Sequence, residues 1–592
     1  MLLQRLAEHA RQDPEGKPFH RKLAFRWELR LDADGTPMST ELESLVESDE
    51  KGRSRPAEHT VPAAVRAFGV AANLAADDVQ YVLGWSDEES KPERVDQCHK
   101  AFVDLTRRWH DEHPDDPAAR ALAAFYRQNG PELIQQTEGV ASKDRVLVTV
   151  AGDAAYRSPS APDFWAREVG RRKGGTSSGL CLVCGQIGPL LDTIPSKVPA
   201  RWVPGASNDA ALVSVNERVF GYGLTTKLVC SPICVGCGEA ASNGLVRVLT
   251  SDQAVNYGGQ DSRLAWWLTE PAAFDPMNLV FEGDPSKIEK YVEAARRGDR
   301  AGFHQLRGTT DLTRFCALSV GGNVARIMVR DWIDMPLHAL DANIIAWFDD
   351  QRIAPLWATD SPWQSLPRLV LVTGRWLRQE KRYAFLGAKA ADRPEAVQRD
   401  LLRALLRKTP LPPALLAHMV NRVRTDGHLD TARSSLIRLL LTRFPLSAEK
   451  PMPSLDTTNR DSSYVAGRIF ATLESLQYSA LGGKLNTTYG DRYFAGAISN
   501  PRAALVNGRK DANAWLRKLR RINRGAAVKL DKALDELFNL LTVAGGIPAR
   551  TSIAQQATFL LGYHHQRAHT FAEIRSSTPD PSTGNASEDP TA

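Results

Sequence analysis

The first half of the chain mixes strand-like and helix-like patterns. Lys22–Leu31 alternates apolar and charged residues before an Asp-Ala-Asp-Gly turn, which predicts a strand entering a hairpin. Further strands are predicted at Arg145–Val150, Ala211–Val215 and Ala325–Val329, with helices between them. Glu41–Pro62 is polar and poor in apolar residues, so it is predicted to be an exposed loop. Short elements with many Gly and Pro breaks indicate an irregular α+β body.

From about Arg393 the pattern changes to long helical periodicity. It predicts helices over Leu401–Arg407, Pro413–Val423 and Thr431–Thr442, followed by a Pro/Ser-rich link, Phe444–Ser454. Beyond the link, two sets of apolar residues each share one helix face. The sets are Val465, Ile469, Leu473 and Leu476, then Leu530, Leu534, Leu537 and Leu541. The second half is therefore predicted to be an all-α bundle.

A chain of 592 residues is too long for one core. We predict an α+β body at 1–392, a helical connector at 393–450, a C-terminal helical bundle at 451–575 and a disordered tail at 576–592. Hydrophobic residues make up 43% of the chain, and no uninterrupted apolar run approaches the length of a membrane span. The apolar run among the first residues is too short for a signal peptide, so the protein is expected to be soluble and cytoplasmic, with no membrane partner.

Five of the seven cysteines lie between Cys181 and Cys237. Two Cys-x2-Cys pairs can each present two thiolates to one metal ion, so Cys181, Cys184, Cys234 and Cys237 are predicted to bind structural zinc. Cys230 is spare in this assignment, and the spacing does not decide whether it also binds. Four thiolates leave no open position for catalysis. The alternative is a set of reduced cysteines that pack as small apolar side chains.

Positive charge is concentrated near the C-terminus. Nine Lys/Arg against two Asp lie between Arg509 and Lys532, a net +7 in a chain whose total is +6. On a helix through Trp515, the side chains of Trp515, Leu519 and Ile522 share one side and four arginines the other. The arginines are Arg517, Arg520, Arg521 and Arg524. This pattern favours binding of a nucleic-acid backbone, with a merely solvated face as the alternative.

The segment from Gly205 to Asn216 is predicted to be a small polar loop before a strand. Its Ser and Asn side chains offer donors and acceptors that suit a narrow minor groove, although a polar hairpin without a ligand would look the same.

Known catalytic motifs are missing from the sequence, which has no Walker loop, no dinucleotide-binding glycine pattern and no His-Glu-x-x-His. The pair His564-His565 is interpreted as a cap or packing feature, with a hydrolytic centre as the alternative, because adjacent helical residues point about 100° apart and do not easily ligate one metal. We therefore expect a binding protein and not an enzyme.

Several segments in order resemble one family, the large subunit of the subtype I-C CRISPR Cascade surveillance complex. They are Asp78–Trp85, Gly179–Gly185 with Pro195–Lys197, Gly205–Asn216, Ala317–Trp332, Asp491–Phe494 and Leu561–Arg567. The chain departs from the family pattern at three places. Val215 replaces a Phe, Gly321-Gly322 widens the middle motif, and His564 replaces a Tyr. The second cysteine cluster, Cys230–Cys237, is not expected throughout the family.

The resemblance implies a non-catalytic subunit of an RNA-guided complex. Its partners would be CRISPR RNA, target double-stranded DNA and the displaced strand, other Cascade subunits and a helicase–nuclease. Such a subunit reads the protospacer-adjacent motif, aids duplex opening, stabilises the R-loop and presents DNA for cutting, while base pairing reads the sequence. Ser207 and Asn208 would read the motif, with Asn216 bracing the loop or reaching DNA. The arginine face would follow the nucleic-acid backbone.

Two rival functions remain open at this point, a zinc-ribbon DNA nuclease and a stand-alone DNA-binding protein. The resemblance also suggests that the last helical block is made separately as a small subunit by internal translation. Met452, in the Pro/Ser link, is the favoured start, and Met419 is the weaker candidate because it lies inside a predicted helix. The sequence does not reveal the protospacer-adjacent motif, the guide or the subunit stoichiometry.

Overall fold

The computed structural model describes residues 1–12, 19–48, 54–63, 69–136, 138–215, 217–257, 261–272, 274–297, 313–444, 450–482, 486–547 and 549–577. These residues form two compact units. The first comprises the described residues up to Asn256 together with Asp261–Thr269 and Cys316–Ile333, and the other described residues form the second. The domain boundaries predicted after residues 392 and 450 separate parts expected to fold independently. The two compact units do not decide whether those parts do so, and the boundaries stay predictions.

Strands are concentrated in the first unit, and the second contains a short two-stranded pairing. They are β1 (His20–Phe25), β2 (Trp27–Leu31), β3 (Glu43–Ser44), β4 (Val46–Ser48), β5 (Ser54–Pro62), β6 (Ala76–Asp78), β7 (Arg145–Val150), β8 (Asp153–Ala154), β9 (Gly174–Leu180), β10 (Ile187–Leu191), β11 (Ala206–Ala211), β12 (Ala254–Asn256), β13 (Arg263–Leu268), β14 (Arg314–Pro336), β15 (Trp376–Leu377) and β16 (Arg382–Tyr383).

Four small sheets build the first unit. Their strand orders are β1-β5-β4, β3-β2-β7-β6 with β8 also paired to β7, β10-β9, and β11-β14-β13-β12. Strand β11 therefore lies at a sheet edge, where it pairs in parallel with β14. The prediction of an irregular α+β body is confirmed.

Two predictions for the N-terminal strands are wrong in detail. Lys22–Leu31 is not one strand, because the chain breaks at Arg26 and sends β1 and β2 into different sheets. Glu41–Pro62 is not a loop, since within its described residues it contains β3, β4 and β5. Strand β5 occupies the middle of its sheet, and backbone pairing to β1 and β4 holds it there despite its polar composition.

Helices of the first unit flank these sheets. They are α1 (Leu2–Arg11), α2 (Val79–Val82), α3 (Pro92–Glu112), α4 (Pro117–Arg127), α5 (Ala161–Lys173) and α6 (Val235–Thr250). Helices α1 and α6 pack on each other, and both contribute to a core beneath β11, β13 and β14.

The second unit is mostly helical, as predicted for the C-terminal half. Its helices are α7 (Pro276–Glu282), α8 (Pro285–Arg296), α9 (Leu337–Gln351), α10 (Leu366–Val372), α11 (Val397–Arg407), α12 (Pro413–Asp426), α13 (Thr431–Thr442), α14 (Ser462–Leu481), α15 (Tyr489–Ser499), α16 (Pro501–Ile522), α17 (Arg524–Val543) and α18 (Ile553–Ser577). Helix α14 lies at the centre and contacts α16, α17 and α18. Its predicted apolar face, Val465, Ile469, Leu473 and Leu476, is fully buried.

The ends of the second unit bear on two further predictions. Helix α18 continues to Ser577, past the predicted start of the tail at Ser576, and residues 578–592 lie outside the described ranges. Met452 is exposed beside residues 445–449, which also lie outside them, whereas Met419 is buried within α12. None of the helices in the described ranges combines the length and apolarity needed to cross a membrane.

Candidate nucleic-acid interface and metal centre

The four cysteines predicted to bind metal lie together in the first unit. The first pair occupies the turn between β9 and β10, where the N–H of Gly185 donates to the Cys181 carbonyl oxygen at 2.9 Å. The second pair begins α6, and the N–H of Leu191 in β10 donates to the Ile233 carbonyl oxygen at 2.8 Å. All four sulfur atoms lie within 4.8 Å of one another. Cys230 is exposed and is not part of this group.

The electrostatics of this cluster favour a bound cation. Burial alone would raise the pKa of the Cys181 thiol, but N–H groups from Cys234, Cys184 and Val183 outweigh it and lower that pKa to about 6. The N–H of Cys234 lies 3.3 Å from the Cys181 sulfur. Burial and the neighbouring cysteines raise the pKa of Cys237 instead. Cys181 is thus set to ionise beside Cys234 and Cys237, whose raised pKa values a bound cation would lower.

The arrangement fits a tetrahedral thiolate site. With metal–sulfur bonds of about 2.3 Å, the sulfurs of such a site lie roughly 3.8 Å apart. The sulfurs of Cys184 and Cys234, one from each pair, are 3.9 Å apart. Four sulfur ligands suit zinc and leave no position for a substrate, so the chemistry such an ion supplies is structural. Cys181, Cys184, Cys234 and Cys237 are the residues that would hold it.

The segment predicted as a polar loop is a strand for half its length. Gly205 precedes β11, which covers Ala206–Ala211, so the strand lies earlier than the predicted Ala211–Val215. Ser207 and Asn208 are therefore exposed on an edge strand and not at a loop tip. The reason is long-range pairing, because β14 lies more than 100 residues further along the chain. Asn216 lies outside the described residues.

Two glycine-containing segments of the resemblance meet at this edge. The N–H of Gly322 in β14 donates to the Pro204 carbonyl oxygen at 2.7 Å. A Cβ on Gly322 would lie 2.4 Å from the Ala206 nitrogen, and Gly205 has a φ of +84°. Gly322 therefore permits the close approach of β14 to β11, a role that the sequence motif alone did not suggest.

A basic residue beside the edge strand was missed by the sequence analysis. A Cβ on Gly321 would lie within 2.6 Å of guanidinium nitrogens of Arg330, which also belongs to β14. The exposed Arg330 side chain therefore passes over Gly321, next to the contact between Gly322 and β11. The signal was present as the second arginine of Ala317–Trp332, but its position depends on how the strand folds. Asp209, in contrast, accepts from the Ala200 N–H at 3.2 Å and braces β11.

The predicted arginine face in the second unit is divided between two helices. Helix α16 ends at Ile522, and Asn523 caps α17 by accepting from the Ala526 N–H at 2.9 Å, so Arg524 begins α17. Trp515 and Leu519 are buried as predicted, but Ile522 is 65% exposed because the helix ends there.

The arginines of this face differ in their partners. Arg520 pairs with Asp531 at 2.8 Å. Arg517 and Arg521 are exposed and make no hydrogen bond or ion pair with other described residues. Their guanidinium groups, one helical turn apart, are available to an anion, and so is that of Arg524 at the start of α17, which is likewise exposed and without a hydrogen bond or ion pair to other described residues.

The histidine pair lies inside the second unit. Both rings are 1% exposed. The Nε2–H of His564 donates to the Ala354 carbonyl oxygen at 2.8 Å, and Nδ1 of His565 lies 3.0 Å from the Tyr464 hydroxyl. Burial lowers the pKa of His564 to about 4, which keeps the ring neutral at ordinary pH. The two histidines therefore pack inside the helical bundle.

The chain matches a protein-family model. A family model described as "CRISPR-associated protein (Cas_Csd1)" matches residues 3–571, nearly the whole chain. Among curated proteins, none matches.

Proposed function

The chain belongs to the CRISPR-associated Cas_Csd1 family, and on this premise we propose that it reads the protospacer-adjacent motif as the large subunit of a type I-C surveillance complex. As a CRISPR-associated Cascade subunit, it works with other Cascade subunits and CRISPR RNA. Guide pairing would supply sequence recognition along the target, while this subunit recognises a short duplex motif. The single observation that carries the proposal is the exposed Ser207-Asn208 pair on edge strand β11.

The edge position suits a groove reader for two reasons. Small polar side chains can donate to base acceptors and accept from the guanine amino group in the minor groove. The pairing of β11 with β14 at Ala206 and Ala211, together with the close contact between Gly322 and Ala206, also fixes both ends of the segment that carries the two side chains, while the register shift between these ends leaves the side chains outside the regular pairing. Arg330 on β14 would add a phosphate contact that positions the duplex without reading sequence.

The cysteine cluster would support this reader indirectly. It joins the β9–β10 turn to the start of α6, and α6 packs in the same core as Ala210 of β11. Zinc held by Cys181, Cys184, Cys234 and Cys237 would thus stabilise the position of α6, and with it the core against which β11 packs. Arg517 and Arg521 would contact the backbone of the displaced strand and stabilise the R-loop.

No catalytic role is proposed for this chain. It would help open the duplex and present the target to a helicase–nuclease that performs the cleavage. The rival nuclease function predicts that purified protein with magnesium or manganese cuts DNA, whereas our proposal predicts intact DNA. The stand-alone regulator predicts tight DNA binding without guide RNA or partner subunits.

The motif-reading proposal is tested with the assembled complex and duplexes that carry or lack the motif. Asn208→Ala should weaken binding to motif-bearing duplex by about 1–3 kcal/mol, the usual cost of a lost base contact. It should leave binding to motif-less duplex unchanged. Ser214→Ala, exposed just beyond the end of β11, serves as the matched control. Equal weakening on both duplexes would show that Asn208 does not read bases.

A further inference from the structure

An apolar tip protrudes from the first unit between β11 and the second cysteine pair. We define the tip as Glu217–Thr225, which contains two short 3-10 turns, Arg218–Phe220 and Tyr222–Leu224. Four large side chains point into water: Val219, Phe220 and Tyr222 are each 71% exposed, and Leu224 is 69% exposed. Together they leave roughly 300–500 Å² of mostly apolar surface in water, the scale of patches that mark interaction sites.

The tip is a folded structure and not a loose loop. The N–H of Gly221 donates to the Arg218 carbonyl oxygen at 3.0 Å, and the N–H of Leu224 donates to the Gly221 carbonyl oxygen at 3.1 Å. A Cβ on Gly221 would lie 1.6 Å from the Thr225 carbonyl oxygen, so the turn closes on itself only because residue 221 is glycine. The backbone that carries the exposed side chains is therefore held by its own hydrogen bonds.

The base of the tip is anchored to the first unit. Leu228 is buried, and its N–H donates to the Asp192 carbonyl oxygen at 3.1 Å. Lys227 pairs with the carboxylate of Asp192 at 2.9 Å. Because the backbone of the tip is already ordered in the free chain, binding of a partner would lose less conformational entropy than binding to a flexible loop.

The net charge of the tip indicates whether its partner is a nucleic acid or a protein. The tip contains one acidic residue, Glu217, and one basic residue, Arg218, so its net charge is zero. Surfaces that bind nucleic acid are strongly positive, whereas the centre of a protein–protein interface is depleted of charge and rich in aromatic residues. The tip matches the second description.

We propose that the tip inserts Phe220 and Tyr222 into an apolar pocket of another protein subunit of the same complex. This inference rests on the proposed function, since it takes the chain to be one subunit of an assembly. Buried aromatic anchors of this kind carry much of the binding energy of an interface, and surrounding contacts exclude water. The tip would then hold the motif-reading edge in register with the rest of the complex.

The test measures docking of the full chain onto the complex assembled from its other subunits and guide RNA without this chain. The double variant Phe220→Ser/Tyr222→Ser should weaken docking by about 30-fold or more, the loss typical of a removed hot spot. The weakening should persist at high salt, because the contact is apolar. Tyr478→Ser removes a similarly exposed aromatic ring from the second unit, at 67% exposure, and should dock like wild type.

Three outcomes would overturn the docking proposal. The double variant could dock with wild-type affinity. It could dock normally but lose affinity for target DNA, in which case the tip contacts nucleobases. It could also abolish a self-association of the isolated chain while docking normally, which would assign the tip to a second copy. A wild-type chain that never joins the complex would instead contradict the proposed function.

Discussion

Gly322 donates its backbone N–H to the carbonyl oxygen of Pro204 at 2.7 Å, and this bond joins two segments separated by more than 100 residues. It fixes the beginning of β11 against β14 at a point where neither segment has room for a side chain. Exposed Ser207 and Asn208 follow at once on the same strand. The position of the candidate reader thus depends on a close approach between backbones.

Gly322→Ala should therefore displace β11. The new Cβ would lie 2.4 Å from the Ala206 nitrogen, and overpacking of this kind costs about 1–3 kcal/mol of stability. We expect a lower melting temperature and weaker binding to motif-bearing duplex. Gly188→Ala is the matched control, since a Cβ there meets no atom within 4 Å. A Gly322→Ala protein that binds motif-bearing duplex like wild type would contradict the proposed role of this contact.

Zinc removal should destabilise the first unit. Elemental analysis is expected to give about one zinc per chain, the stoichiometry of one four-thiolate site. Cys234→Ser should lower the zinc content and the melting temperature, because it removes a sulfur that lies 3.9 Å from that of Cys184. Cys230→Ser should change neither, since Cys230 lies outside the cluster. If metal-free protein keeps its melting temperature, the cluster does not act as a structural metal site.

The arginine face should contribute salt-dependent and sequence-independent affinity. Arg517→Ala and Arg521→Ala are each expected to reduce the slope of log affinity against log salt by about 0.7, the value for one contact to single-stranded backbone. Arg520→Ala should have a smaller effect, because Arg520 already pairs with Asp531. Arg297→Ala, at the residue that follows α8, is a control in the same unit. An unchanged slope for the first two variants would mean that the face is only solvated.

The buried histidines should make stability fall in mild acid. Burial lowers the pKa of His564 to about 4, below the unfolded value of about 6.5, so the unfolded state binds more protons between these values. The contribution of His564 to the free energy of unfolding is therefore fully present above about pH 6.5 and declines toward pH 4. At pH 5 the loss from this group is roughly 2 kcal/mol. His564→Gln keeps an N–H for the Ala354 carbonyl oxygen but cannot titrate. Its melting temperature should decline less between pH 7 and pH 5, and an identical decline would refute this assignment.

A separate small subunit, if it is made, should begin at or near Met452 and retain the parent C-terminus. Met452 is 55% exposed, and helices α14–α18 follow it as one packed group, whereas a start at buried Met419 would cut α12. Intact-mass analysis of the assembled complex would detect such a fragment. Met452→Leu should abolish it and Met419→Leu should not. A fragment whose amount is unaffected by Met452→Leu would exclude this start.

Local patterns in the sequence were sufficient for features that depend on neighbouring residues. The periodicity of Thr431–Thr442 predicted α13 with both ends correct, because helical hydrogen bonds span only four residues. The Cys-x2-Cys spacing likewise predicted two turns that can each present a pair of thiolates. The sequence could also predict that the pairs share one site, since four-thiolate chemistry requires both. These parts of the fold and the candidate site needed no knowledge of long-range pairing.

Tertiary structure decided the features that depend on distant partners. Strand β11 forms where a loop was predicted because its edge pairs with β14, and polar Glu41–Pro62 contains strand β5 because β1 and β4 pair with it. The arginine face is divided because α16 ends at Ile522, leaving that side chain exposed and moving Arg524 to α17. Backbone pairing is nearly independent of side-chain type, so local patterns do not reveal which strand a polar segment joins. Periodicity alone likewise continues a helix past the point where Asn523 caps the next one.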